Sequence, residues 1–232
     1  MLINNTDIKT KYNMVLNEKK ISPSKASLNL NWLKGSLTPI LLYKETKFCD
    51  IECKFTIEAE TEDEFELKFS ELNRDIIECI LKFDDINMFY KCYIEDAKEP
   101  ERITPYNWEF TCKWIGYKFK KEIEETLNNI LDKTINNPGN KETPCIIEIT
   151  PNIGLVDLTI SGLSNDPIII KNLKQSKKII IDGIEGTVLE EGINKFKDTD
   201  FWEFPFLLPG SNKITIDKNS CDINIKFKPR FI

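Results

Sequence analysis

The 232-residue sequence predicts a mainly β protein with a minor helical element, divided into two domains. Three features carry this reading. Apolar and polar residues alternate over many short segments, as they do in half-buried strands. One stretch, 62–73, combines a helix-start signal with apolar residues at helical spacing. The cluster Asn136-Asn-Pro-Gly-Asn140 then separates two apolar-patterned regions in the manner of a linker. A chain of this length suits two modest domains, each able to bury a core, and the boundaries read as 1–135 and 143–232.

In the first 45 residues, Lys19-Lys20-Ile-Ser-Pro23 and Lys34-Gly35-Ser36 read as turns between short segments. Cys49, Ile51, Cys53, Phe55 and Ile57 alternate with Asp50, Glu52, Lys54 and Thr56, which predicts a strand over 48–57. Thr61-Glu-Asp-Glu64 has the form of a capping box with an acidic first turn, and Phe65, Phe69 and Leu72 share one helical face. A helix over 62–73 follows from this, with a strand as its competitor because Phe65, Leu67 and Phe69 also alternate. Strands are expected at 77–83, 88–94 and 108–114, the first two joined by a turn at Asp84-Asp85-Ile-Asn87. The aromatics Trp108, Phe110 and Trp114 alternate with charge, which favours core packing over a platform for bases or sugars. Residues 118–133 fit either an amphipathic helix on Phe119, Ile123, Leu127, Ile130 and Leu131 or an extended connector.

Beyond the break the texture is one of short β segments, at 146–149, 156–160, 168–170, 179–181, 187–189, 212–216 and 221–227. With turns at Asp182-Gly183 and Pro209-Gly210 they predict a β-sandwich of about 90 residues. The last segment directs Cys221, Ile223, Ile225 and Phe227 inward and Asp222, Asn224, Lys226 and Lys228 outward.

Composition narrows the chemistry. Hydrophobic residues at 41% and charged residues at 30% suit a globular protein rather than a disordered one. A net charge of -6 without a basic block argues against nucleic-acid recognition. The N-terminus lacks a secretory pattern and no apolar run approaches a membrane span, so a soluble protein without membrane insertion is expected. Histidine is absent, which removes Ser-His and Cys-His hydrolases. There is no phosphate-binding glycine loop, Gly183-Ile-Glu-Gly186 being too short, and no calcium loop. The acidic runs 58–66 and 122–125 read as solvated faces. Seven cysteines, Cys49, Cys53, Cys79, Cys92, Cys112, Cys145 and Cys221, are odd in number and widely spaced. On one strand Cys49 and Cys53 would lie about 13 Å apart, too far to grip one ion, so buried thiols are expected and no metal or cofactor.

Several stretches of the second half occur in an order that resembles bacteriophage distal tail proteins. They are Thr134-Ile-Asn-Asn-Pro-Gly139, Pro144-Cys-Ile-Ile-Glu-Ile149, Ile179-Ile-Ile-Asp-Gly183, Gly192-Ile-Asn194, Phe204-Pro-Phe-Leu-Leu-Pro-Gly-Ser-Asn212 and Lys228-Pro-Arg230. The most specific is the Phe204, Pro205, Leu207, Pro209, Gly210, Asn212 pattern, a proline-stiffened loop and turn feeding a strand. The first half is similar in layout rather than in motif. The resemblance implies a non-enzymatic structural protein of the virion, assembled in the bacterial host cytoplasm. It further implies an N-terminal ring-forming domain and a C-terminal galectin-like sandwich. Six copies would form a ring at the tail tip around a channel for tape-measure protein and DNA. Its neighbours would be the tail tube protein, the tail-associated tip protein and receptor-binding proteins. The sugar site of galectins relies on a histidine and does not carry over. Phe201, Trp202 and Phe204 are the local aromatics that could stack on a glycan, with loop packing as the plainer role. A carbohydrate-binding accessory module and an acid-based hydrolase are the competing classes, and native mass separates them from a ring.

Overall fold

A computed structural model describes residues 1–46 and 48–232. Two compact units divide the chain, Met1–Phe119 with Ile232, and Lys120–Phe231.

The first unit contains β1 (Leu2–Ile3), β2 (Thr6–Asp7), α1 (Ile8–Tyr12), β3 (Met14–Ile21), β4 (Ala26–Asn31), β5 (Ile40–Thr46), β6 (Cys49–Glu58), α2 (Glu62–Ile76), β7 (Glu78–Lys82), β8 (Phe89–Ala97), β9 (Glu101–Thr104) and β10 (Asn107–Phe119). One sheet runs β2-β1-β7-β8-β10-β6-β3, with β9 beside the start of β10. In β6 every second residue from Cys49 to Ile57 is buried, as its alternation predicts. The helix covers that face. Its cap forms as the sequence indicates, Thr61 Oγ1 accepting a hydrogen bond from the Glu64 amide at 3.2 Å. Phe65 stacks on Trp108 with ring centroids 4.7 Å apart, and Phe69 meets Phe110 edge-on at 5.2 Å. The Trp114 indole N–H donates to the carbonyl of Ile76 at 3.0 Å. The strand alternative for this stretch would set Leu67 beside Phe65 and Phe69, whereas Leu67 is 72% exposed. Burying aromatic and aliphatic side chains of this size contributes about 2 kcal/mol each, which decides for the helix.

Of the two turns expected in the N-terminal region, one shifts and the other forms. Lys19 to Ile21 continue β3, so the break begins at Ser22. Lys34 and Gly35 do form a turn, and it joins β4 to β5 in a two-stranded hairpin that, among the described residues, pairs with no other strand. Large apolar side chains along this hairpin, from Leu28 to Tyr43, are half or more open to solvent or close to it.

The second unit contains β11 (Ile123–Asn128), β12 (Asp132–Asn137), β13 (Thr143–Pro151), β14 (Leu155–Ser161), β15 (Ile168–Leu173), β16 (Ile179–Asp182), β17 (Thr187–Glu190), β18 (Ile193–Asn194), β19 (Thr199–Asp200), β20 (Phe206–Leu207), β21 (Gly210–Ile216) and β22 (Cys221–Phe227). One sheet runs β11-β22-β13-β16-β17-β18 with β20 on β13, and the other runs β12-β21-β14-β15-β19. Both contribute to one core, including Ile147, Ile181, Ile225 and Phe227 from the first and Ile135, Ile160, Ile170 and Ile214 from the second. This is the sandwich the alternating segments predict.

The stretch 118–133 is neither a helix nor a connector. β11 pairs along its whole length with β22, and β12 with β21. Leu127 and Ile135 enter the core, while Ile130 and Leu131, which completed the helical pattern, are exposed between the strands. Each sheet of the sandwich thus takes one strand from this segment, and the division between units falls at Phe119/Lys120, before the break at 136–140. That break is a turn inside the sandwich, between β12 and β13.

Candidate functional site

Most of the signature stretches, scattered along the sequence, meet at one corner of the sandwich, whereas residues 192–194 lie at the Ile179 end of their sheet. Asn137 is buried, and its Nδ2 donates to Thr143 Oγ1 at 3.1 Å and to the Leu207 carbonyl at 3.3 Å. Its Oδ1 accepts from the Gly139 amide at 3.0 Å. Thr143 Oγ1 donates to the Lys141 carbonyl at 3.0 Å and accepts from the Arg230 amide at 3.1 Å. The Cys145 amide donates to the Pro205 carbonyl at 3.0 Å, and the Gly183 amide to the Cys145 carbonyl at 3.0 Å. A Cβ on Gly183 would lie 2.3 Å from the Pro205 oxygen and 2.7 Å from that of Cys145, so this crossing admits glycine alone.

The Phe204 to Asn212 stretch closes the corner. Leu207 is fully buried, and β20 pairs with the start of β13. Gly210 has φ +85, the left-handed region that favours glycine. Asn212 then holds the turn with three bonds: Oδ1 accepts from the Leu208 amide, and Nδ2 donates to the carbonyls of Leu208 and Gly210, all at 2.9 Å. Phe204, Pro205 and Pro144 line a shallow hollow of about 390 Å³ beside it. The side chains of Asn137, Thr143 and Asn212 are spent on hydrogen bonds within the corner, mostly to backbone, so these residues build a shape. Sequence reading marked Asn212 as a motif position, whereas Asn137 fell within a signature stretch without a role and Thr143 outside any. Their polar identity inside a turn-like stretch gives no sign that folding buries them.

The aromatic trio separates. Phe201 and Phe204 meet edge-on at 5.2 Å, and Phe196 contacts both, at 5.8 and 6.1 Å. Trp202 alone faces solvent, at 89% exposure. The acidic runs lie on solvated faces. Glu62, Asp63 and Glu64 form the first turn of α2. Glu125 pairs with Lys133 at 2.7 Å, Glu122 with Lys228 at 3.8 Å and Glu124 with Lys226 at 3.9 Å. A further ionic group sits in a hollow of about 260 Å³, where nearly buried Lys195 meets Glu190 at 3.2 Å and Asp198 at 3.3 Å and donates to the Asn172 carbonyl at 2.9 Å.

All seven cysteines are buried and none is in a disulfide. Cys53 faces Cys112, and Cys79 faces Cys92, across paired strands, a proximity that linear spacing hides. Burial pushes the Cys53 and Cys112 thiols up to about 12 and that of Cys221 up to about 11. The hydrogen bond with Cys79, together with burial, raises Cys92 further. Such thiols are protonated and unreactive at neutral pH. Among the described residues no group of three or more Cys, Asp or Glu is placed to hold a metal ion, and no helix is long and apolar enough to cross a membrane.

Residues 138–231 match the family model of a siphovirus-type tail component, C-terminal domain. No curated protein matches the chain. Among solved structures the chain is similar to the Dit protein (gp 19.1) of phage SPP1, described as a paradigm of the hub adsorption apparatus in phages infecting Gram-positive bacteria. That match has a TM-score of 0.77 at 11% identity and covers 100% of this chain and 98% of that one. It is also similar to a chain of the phage P2 baseplate in its activated conformation with Ca, at TM-score 0.60 and 12% identity, over 96% of this chain and 93% of that one. The same baseplate with Sr gives 0.59 at 13% identity. At these identities the structural likeness is one of fold. The family match covers the corner built by Gly139, Thr143, Leu207 and Asn212, and the resemblance to distal tail proteins read from that half of the sequence is borne out.

Proposed function

We propose that this chain, whose residues 138–231 belong to the siphovirus-type tail component family and whose full length has the fold of a distal tail protein, builds the ring that joins a phage tail tube to its host-binding tip. The observation that carries the reading is the full-length match in fold to SPP1 Dit, with the family match to the second unit beside it. A structural role agrees with a signature corner in which Asn137, Thr143 and Asn212 are spent on bonds that hold its own turns, and with thiols buried in the core.

In this reading the first unit forms the ring, six copies close it, and the galectin-like second unit projects outward. The ring surrounds a channel for tape-measure protein and DNA. The tail tube protein lies above, the tail-associated tip protein below, and receptor-binding proteins around the rim, and the assembly forms in the bacterial host cytoplasm. Closure by rotation needs two different complementary patches on each subunit. Native mass spectrometry of the purified chain, with negative-stain imaging, tests this. Six-copy rings with a central hole are expected, and a protein that stays monomeric at tens of micromolar would sink it.

A second reading, a carbohydrate-binding accessory module, rests on Trp202, whose indole is open to solvent in the segment that carries the packed Phe201 and Phe204. It expects a monomer whose binding to host cell-wall glycans falls at least tenfold in Trp202→Ala. Unchanged glycan binding in that variant would remove this reading.

A further inference from the structure

We infer that the β4–β5 hairpin of one copy seats on the β3 margin of the next copy, which makes these the two complementary patches of the ring; the inference rests on the ring reading above. Cross-strand partners share a face, and the register sets Leu28 opposite Lys44 and Leu30 opposite Leu41. One face of the ribbon therefore carries Leu28, Leu30 and Leu41, and Trp32, Leu33 and Leu37 crowd its tip. A two-stranded ribbon is marginal by itself in water, and apolar patches beyond a few hundred Å² mark contact sites. The half-exposed leucines of that face, together with Trp32, Leu33 and Leu37 at the tip, offer apolar surface on the order of the 800 Å² per partner that a stable interface buries.

The receiving surface lies on the same unit. The large sheet ends on one side in the two-residue β2 and on the other in the eight-residue β3, whose outer edge pairs with no strand among the described residues. A groove of about 410 Å³ lies at the start of that strand, with Ile8, Met14, Val15, Leu16 and Phe83 supplying apolar walls, while its charged residues Asp84 and Asp85 are already paired with the N-terminal ammonium and Lys19. An open edge accepts a strand from another chain through backbone hydrogen bonds, and the groove takes its alternate side chains. The hairpin does not fill its own groove. Its root is fixed at the far end of β3, where Ser22 bonds the Asp50 carbonyl and Lys25 pairs with Asp50, about 20 Å along the strand from Val15.

Full-length protein provides the test. Leu30→Cys and Val15→Cys are made singly and together, the native thiols being buried and so unreactive. Mild oxidation should yield a covalent dimer when the two single variants are assembled together, and a ladder up to six copies in the double variant. A separate variant, L28N with L30N and L41N, alters exposed side chains only. It should keep the wild-type circular dichroism yet need at least tenfold more protein to assemble. If wild type forms rings while the asparagine variant assembles at the same concentration and no cross-link appears, the hairpin does not make this contact and the ring reading stands. A monomeric wild type would overturn both.

Discussion

Asn212 holds the Pro209-Gly210 turn through three bonds made by both ends of its amide. Asn212→Ala leaves an amide and two carbonyls without their partner and should lower stability by about 1–3 kcal/mol. Asn212→Asp keeps the acceptor but loses both donors, so urea melts should place it between alanine and wild type. Equal stability of all three would show that the turn stands on its backbone alone. In the first unit, Asp75 receives hydrogen bonds from Lys11 and, at 2.6 Å, from the Tyr12 hydroxyl, which hold its carboxyl down at about 2. The folded value lies below the ordinary 3.8. The contact therefore stabilises the native state at every pH above the ordinary value and is lost as pH falls toward 2. Discounted for solvent screening, Asp75→Asn should cost about 1 kcal/mol at pH 7 and almost nothing near pH 2. Melts of the two proteins in parallel from pH 7 to pH 2 measure it, and a constant difference across that range would contradict the assignment.

β11 and β12 decide where the second unit begins, because each completes a different sheet. A fragment starting at Lys120 should fold with native-like dichroism and a cooperative melt. One starting at Thr143 lacks Leu127 and Ile135 and leaves β22 and β21 with open edges, so it should aggregate or melt without cooperativity. A Thr143 fragment as stable as the longer one would restore the boundary at 136–140. The sequence misleads here because β11 buries only part of one face: Ile123 and Leu127 are four apart, with Glu125 between them, and four apart is also one helical turn. β6, β22 and α2 were legible because each has one continuous covered face, so the period is visible. The β4–β5 hairpin was not, since Leu41, Leu42 and Tyr43 are all exposed and no covered face imposes an alternation. Of the signature corner, the glycines and prolines could be read as turns, but Asn137 and Thr143 acquire meaning only once Leu207 and Arg230 are folded onto them.

Taken whole, the chain divides its work between two separately cored units, and the ring contacts argued above lie in the first. Residues 1–119 contain both the hairpin and the β3 margin, so this fragment alone should assemble. On the proposed arrangement the second unit takes no part in closure and should be monomeric as residues 120–232. Light scattering over a range of concentrations reads both masses. Because the contact buries mostly leucines and a tryptophan, its strength should change little between low and high salt, unlike a contact made by surface ion pairs. Six-copy assembly of the first fragment, at a concentration within a few fold of the full-length protein, is the expected outcome. A first fragment that is well folded but strictly monomeric, beside a hexameric full-length chain, would instead assign the closing contacts to residues beyond Phe119.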